Sequence, residues 1–349
     1  VKLLKSVLMS SLLAAASFSA SAKTETINGA GASFPHPIYA NWAEEYQKET
    51  GVRINYQAIG SGGGIRQITA KTVDFGASDA PLDAKKLDKE DMIQFPMVMG
   101  AIVPVINVPG IEPGALKLTG EVLADIYLGN IKKWNDKRIT DLNPGVTIPN
   151  QAIYVVHRSD GSGTTYNFTD YLSRVSPEWK ENIGKNTDIT WPKKATTIGG
   201  NGNAGVANFV RRTRGAIGYV EYAFAKQNSL TYTQLASAEG KFLQPNMDTF
   251  QAAAANADWA NAPGFRLLLN NQPGADSWPM TAATFILMHK DQANAEKAKQ
   301  IIKFFEWSYE KGGDYAVGLD YIPMPEAVVE MVENVWKEDL TTDGKTIIK

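Results

Sequence analysis

Apolar residues along this chain fall into two rhythms. Short runs dense in Val, Ile, Phe and Ala, the pattern of strands buried in a core, recur at 52–56, 73–77, 101–108, 152–156, 216–220, 265–269 and 284–288. Between them apolar positions return at helical spacing, at Ile38, Trp42 and Tyr46, at Ile65 and Ile68, and at Ile301, Phe304, Phe305 and Tyr309. These stripes read as core-facing sides of helices. Strands alternating with amphipathic stretches predict an α/β fold. From Pro104 to about Pro279 the chain is rich in Gly, Pro and Asn and reads as an inserted second unit. The chain would then cross between units near 102–106 and near 278–285. That gives one discontinuous lobe, 23–103 with 280–349, and an inserted lobe, 104–279. A cleft between two such lobes is the default place for a small ligand.

The first 22 residues interrupt this rhythm. Lys2 and Lys5 precede the apolar run from Val7 to Ala16, and Ala20-Ser21-Ala22 supplies small residues. This is the layout of a cleavable secretory signal, and the run is shorter than the ~20 residues a membrane span needs. No cysteine occurs, so disulfides, thiolate metal ligation and lipid attachment through cysteine are excluded. An exported protein without an anchor points to the periplasm. The 327 residues that remain are ample for a core without disulfides. Losing Lys2 and Lys5 moves the formal charge from −2 to −4, which argues against a nucleic-acid partner. An anion, if bound, must be held by a local site.

Three turns are built for that. The strongest is Arg158-Ser159-Asp160-Gly161-Ser162-Gly163-Thr164-Thr165 before a helix-like run. It places a guanidinium and hydroxyls where a helix start leaves N–H groups unpaired. Gly29-Ala30-Gly31-Ala32-Ser33-Phe34-Pro35 is another, although Phe34 stands where a dinucleotide fingerprint needs glycine. The third, Gly60-Ser61-Gly62-Gly63-Gly64, lacks the Lys of a P-loop and reads as a flexible, donor-rich turn. Asp74-Phe75-Gly76-Ala77-Ser78-Asp79-Ala80-Pro81 then ends a strand in a carboxylate. Hydrolytic chemistry finds little support. Asp160 and Thr164 flank Ser162 where a nucleophile elbow needs glycines, only His36, His157 and His289 exist, and metal-ligand spacing is missing.

A carboxylate beside anion-binding turns suggests a ligand that still carries a proton near neutral pH. Hydrogen phosphate does and sulfate does not, and an ionised Asp79 can only accept. Arg158 would grip the other oxygens as a bidentate fork, with Asp160 orienting it. These four motifs, together with Gly215-Ala216-Ile217-Gly218-Tyr219-Val220-Glu221-Tyr222 and Lys303-Phe304-Phe305-Glu306-Trp307, resemble the PstS family of periplasmic phosphate-binding proteins. The resemblance covers essentially the whole chain after residue 22.

It implies a two-lobed, Venus-flytrap periplasmic binding protein fold with crossing hinge strands. It implies phosphate contacts from Ala32, Ser33, Phe34, Ser61, Asp79, Arg158, Ser162, Gly163 and Thr164, with Asp79 as the proton acceptor and Asp160 behind Arg158. It further implies a monomeric, non-enzymatic receptor without cofactor or metal, partnered by the membrane permease of the Pst ABC transporter. Departures are small: Gly62 stands where a serine is common, Ser33 where threonine is, and His157 where a basic residue is. The alternatives are a secreted phosphatase on the same turns and a receptor for another tetrahedral oxyanion, of which arsenate carries the same proton.

Overall fold

The structure is a computed structural model that describes residues 26–348; the expected signal segment, 1–22, lies outside them. The organising element is strand β4, Met92–Ile106, buried along its whole length. Its run Met-Ile-Gln-Phe-Pro-Met-Val-Met-Gly-Ala-Ile-Val-Pro-Val-Ile is the near-continuous apolar pattern of a strand covered on both faces. Numbered in chain order, β1 is Ile27–Gly31, β2 Ile54–Ala58, β3 Phe75–Ser78, β5 Tyr154–Arg158, β6 Thr197–Gly200, β7 Ala216–Glu221 and β8 Met280–His289. The main sheet runs β2-β1-β3-β8-β4-β7-β5-β6.

Strand β4 belongs to both ends of that sheet. Its residues 92–101 pair antiparallel with β8, and its residues 102–106 pair antiparallel with β7. The junction at Ala101 and Ile102 thus divides the fold into a first half (β2, β1, β3, β8) and a second half (β7, β5, β6). Each half has its own aromatic core. Phe75, Phe95, Phe305 and Trp336 interlock edge to face in the first, and Tyr127, Phe168 and Tyr219 pack in the second. Trp278 pins the junction by donating its indole N–H to the Ile102 carbonyl at 2.9 Å.

Several sequence expectations shift. The strand expected from 101 begins at Met92 and takes in Pro96. Pro96 is tolerated at a bulge: Thr284 faces Val98 and Phe285 faces Pro96, so Met97 has no partner in the β8 register. The strand expected at 265–269 shrinks to a pair at Leu269–Asn270, since Pro263–Phe265 forms a 3-10 turn through Gly264 at φ 60°. That region also packs on the first half, while Asn270 keeps it bonded to Asn167 and Asp170 of the second. Trp259 lies against Phe285, and Gln94 donates to the Gly264 carbonyl at 2.7 Å. The chain therefore touches the first half at Trp259 and Gly264, inside the expected inserted lobe, and returns to the second before 280, where Gly274 N–H donates to Glu239 and Asp276 pairs with Lys241.

The glycine turn after β2 is helical as well. Helix α1, His36–Thr50, follows β1, and α2, Ser61–Thr69, follows β2. Glycine is a poor helix former, so tertiary packing must hold α2. Gly64 shows how: a Cβ there would sit 2.5 Å from the Gly31 Cα and 2.6 Å from the Ala30 carbonyl oxygen. Both obstacles are backbone and have no rotamer by which to yield. Gly64→Ala is expected to lose about 1–3 kcal/mol of stability by overpacking. Gly318→Ala, a helical site with nothing within 4 Å of the added carbon, is expected to be neutral or stabilising. Equal melting temperatures for the two variants would show that α2 can lift away from β1 without cost.

Candidate functional site

Strands β1, β2 and β3 run parallel in the first half, and β5, β6 and β7 in the second. A parallel strand feeds its helix from its carboxyl end, so helix starts gather at that edge of each half, where α/β proteins bind ligands. Helix α3, Gly163–Val175, follows β5, and α4, Gly202–Arg212, follows β6. Helices α1 and α2 begin without a side-chain cap, which leaves first-turn N–H groups available, whereas Ser162 caps α3 by accepting from Thr165 N–H at 3.0 Å and the first N–H groups of α4 go to the Asp160 and Ser33 side chains.

The structure brings the nine expected residues together, all of them buried. Ser61 shows how tightly: its hydroxyl oxygen accepts from Asp79 N–H at 3.2 Å in its own half and from Gly163 N–H at 3.0 Å in the other. The backbone N–H groups of Ser33, Phe34, Ser61 and Thr164 take no partner among the described residues. Ala32 differs. Its N–H donates to the Ala77 carbonyl and its own carbonyl accepts from Tyr56 at 2.6 Å, so it turns the chain and offers no free donor. Gly163 N–H is likewise engaged, by Ser61.

Arg158 is 4 % exposed and held from two sides. Its Nε and Nη2 donate to the two carboxylate oxygens of Asp160 at 2.7 and 2.5 Å, and Nη1 donates to Thr164 Oγ1 at 3.3 Å. A guanidinium has five N–H donors, so two remain for a ligand. Burial opposes ionisation of Asp160, but the Arg158 hydrogen bonds and charge, with the Gly202 amide, outweigh it and hold the carboxyl below the usual range. Asp160 therefore orients the guanidinium, and it also accepts from Gly202 N–H at the start of α4.

Asp79 is 1 % exposed, and its Oδ1 has no hydrogen-bond partner among the described residues. Burial pushes its carboxyl up to about 7; the Thr284 hydroxyl, the Arg158 charge and the Ser61 hydroxyl offset only part of that. Thr284 Oγ1 and Tyr39 Oη are also buried, and although Thr284 lies close enough to both Asp79 and Tyr39 to influence them, none of the three completes a hydrogen bond of good geometry. Three buried polar groups left without partners in one place is rare in a folded protein and marks a ligand site. The bulge in β4 opposite Thr284 gives a reason why an apolar strand presents a hydroxyl there.

Sequence reasoning missed Thr284, Tyr39, Asn167 and Asn203. Asn203 donates from its backbone N–H and its side chain to Ser33 Oγ, both at 3.0 Å, and from its side chain to Thr164 Oγ1 at 3.1 Å. Asn167 donates to the Asp79 carbonyl at 2.7 Å. The string Gly199-Gly200-Asn201-Gly202-Asn203, a fourth glycine-rich turn before a helix, was the available signal for Asn203. Each histidine is occupied elsewhere: His36 stacks on Tyr56, His157 stacks on Trp191, and His289 Nε2 meets the Ile68 carbonyl. Among the described residues no group of three His, Asp or Glu could hold a metal, and no helix is long and apolar enough to cross a membrane.

Comparison with known proteins agrees with this geometry. Residues 16–311 match the profile of the PBP superfamily domain. The phosphate-binding protein PstS of Pasteurella multocida is 52% identical over 331 residues, 95% of each chain. PstS of Haemophilus influenzae is 51% identical, over 91% of this chain and 95% of its own. A phosphate-binding protein from Stenotrophomonas maltophilia, at 19% identity, superposes with a TM-score of 0.68 over 89% of this chain and 93% of its own, and supports the fold. With matches of that identity and extent, this chain belongs to the PstS family of phosphate-binding proteins, within the PBP superfamily.

Proposed function

We propose that this chain is a receptor that binds inorganic phosphate between two lobes and delivers it to the membrane permease of an ABC transporter. The observation that carries the reading is Asp79 Oδ1, a buried acceptor without a partner, facing a shell of donors. A fully deprotonated anion would bring only acceptors to that atom. Hydrogen phosphate brings one P–O–H for Asp79 and oxygens for everything else. The remaining donors are the two free N–H groups of Arg158, the Ser33, Ser61, Ser162 and Thr164 hydroxyls, and the N–H groups of Ser33, Phe34, Ser61 and Thr164. The relatives' names, phosphate-binding protein PstS, point the same way.

The two halves joined at β4 would be the lobes, with the hinge at Ala101 and Ile102 and the returning strand β8. Ser33, Ser61 and Asp79 lie on one side, Arg158, Ser162 and Thr164 on the other. An anion held by both makes contacts in the closed state that an open state lacks, which is the difference in affinity that closure requires. Export by residues 1–22, a periplasmic location and action as a monomer complete the proposal.

Calorimetry at about pH 9, where a carboxyl pushed up to about 7 is ionised, tests it directly: phosphate and arsenate are expected to bind, and sulfate far more weakly. Equal affinity for sulfate would refute recognition through a ligand proton. Turnover of p-nitrophenyl phosphate that follows the pure protein and vanishes in Ser162→Ala would make the chain a hydrolase instead. Arg158→Ala is expected to weaken phosphate by a few powers of ten, more than any single hydroxyl deletion, because truncation also leaves the half-buried Asp160 charge beside the anion with only the Gly202 N–H to balance it. An affinity within about threefold of wild type would remove Arg158 from the shell.

Asp79→Asn carries two expectations. Its amide can donate, so phosphate should weaken modestly while sulfate, relieved of a like charge, gains. An unchanged phosphate-to-sulfate ratio would show that Asp79 only shapes the turn. The second expectation concerns stability without phosphate. The unfolded chain releases this proton near pH 4 and the folded chain near 7, so wild-type stability falls as pH rises across that window. Asp79→Asn removes this dependence. Its melting temperature should exceed that of wild type at about pH 8, with the gain shrinking toward about pH 4. A gain independent of pH would place the titration elsewhere.

A further inference from the structure

One buried acid has no counter-charge. Glu221 ends β7, is fully buried, and lies opposite Ile102 where β4 passes between the halves. No described Lys, Arg or His forms an ion pair with it. The nearest charged influence is Asp320, itself bonded to Lys226, and Tyr222 and Tyr321 are the other titratable groups against it. Burial, helped by Asp320, pushes its carboxyl well above the ordinary range against the pull of the Ala223 amide and Tyr321.

Proton counting at Tyr321 says more. Tyr321 Oη is 2.7 Å from the Phe34 carbonyl oxygen and 2.9 Å from Glu221 Oε2, and Ala223 N–H donates to the same Oε2 at 2.9 Å. The Phe34 carbonyl can only accept, so the single proton of Tyr321 belongs there. The contact with Glu221 is then a hydrogen bond only if Oε2 carries a proton of its own. A hydroxyl oxygen can donate to Tyr321 and accept from Ala223 at once. Glu221 Oε1 already has no hydrogen-bond partner among the described residues, so an ionised Glu221, competing with Phe34 for one proton, would leave a second buried acceptor short and spread a full charge over both.

We propose that Glu221 is a proton-bearing positioning residue, whose carboxylic acid donates to Tyr321, which donates to Phe34, so that the second half holds the Ser33-Phe34 turn in place. The backbone of Glu221 serves the same turn by another route. Its N–H donates to Asn203 Oδ1 at 2.9 Å, which orients the amide so that its NH2 reaches Ser33 Oγ and Thr164 Oγ1. Glu221 itself touches no ligand; it acts through Phe34 and Ser33, and its role rests on the phosphate reading of that turn.

The test combines infrared spectroscopy with a double-mutant cycle on the full protein, using E221Q and Y321F, which keep side-chain volume. The spectrum of phosphate-bound wild type minus that of E221Q is expected to show the carbonyl band of a neutral carboxylic acid at about pH 8, where an ordinary glutamate is ionised. Y321F is expected to weaken phosphate roughly tenfold. The double variant should be no weaker than the weaker single, because both break one chain of bonds. A missing acid band, wild-type phosphate affinity in Y321F, or additive losses would each overturn the proposal. If wild type failed to bind inorganic phosphate, the functional reading would fall, while the band would still report whether Glu221 holds its proton.

Discussion

The site depends on a shortage of positive charge. Arg158 is the cation in the shell, and both of its strongest bonds go to Asp160, so the pair is close to neutral before any ligand is counted. Asp79 adds an acid that burial holds partly protonated. An anion arriving there meets no net positive charge and must be held by dipoles. That demand explains why helix starts converge on the site and why α1 and α2 lack side-chain caps, whereas the first N–H groups of α4 are spent on Asp160 and Ser33 and hold the shell together. A side-chain oxygen capping those turns would consume the donors the anion needs.

Bringing uncapped helix starts close together is a steric problem, and glycine solves it at defined places. Gly60, at φ 83°, passes so near Asp160 that a Cβ would lie 2.2 Å from its Oδ2. Gly62 faces Gly161 across the halves, and its N–H donates to the Gly161 carbonyl at 2.9 Å. The same packing that lets α2 lie on β1 thus lets it reach the second half. Stability and recognition draw on one set of small residues here, which is why the α2 start tolerates so poor a helix-forming sequence.

How much of this was legible in the sequence follows from what each residue signals locally. Ser33, Ser61, Arg158, Ser162 and Thr164 sit in turns whose glycines and hydroxyls precede helix-like runs; local chemistry marked the turns, and the resemblance to the PstS family picked out the residues within them. Asp79 was legible through the logic of a protonated ligand. Thr284 was not, because it lies in an apolar strand and owes its role to a bulge made in another strand around Pro96. Asn203 was hidden by its lack of charge, although its glycine-rich turn resembled the others. The segment 259–270 misled because Leu267-Leu268-Leu269 reads as a strand, while Pro263 and Gly264 impose a turn that only tertiary contacts reveal.

Several of the bonds joining the halves are made by groups of the site itself, beside others that lie away from it, such as Lys226 with Asp320. Ser61 accepts from both halves, Asn203 donates to Ser33, and Asn167 donates to the Asp79 carbonyl. Each such neutral bond is worth about 0.5–1.5 kcal/mol net, since water competes for the same groups. They are therefore enough to define the closed geometry and too weak to dominate it. Bonds to an anion are charge-assisted and roughly twice as strong, so the ligand sets the balance between closed and open. Because the same atoms serve both purposes, an anion that fails to satisfy Asp79 strains the contacts between the halves as well as its own. On the phosphate reading proposed above, discrimination at one carboxylate would in this way be converted into a choice between two shapes.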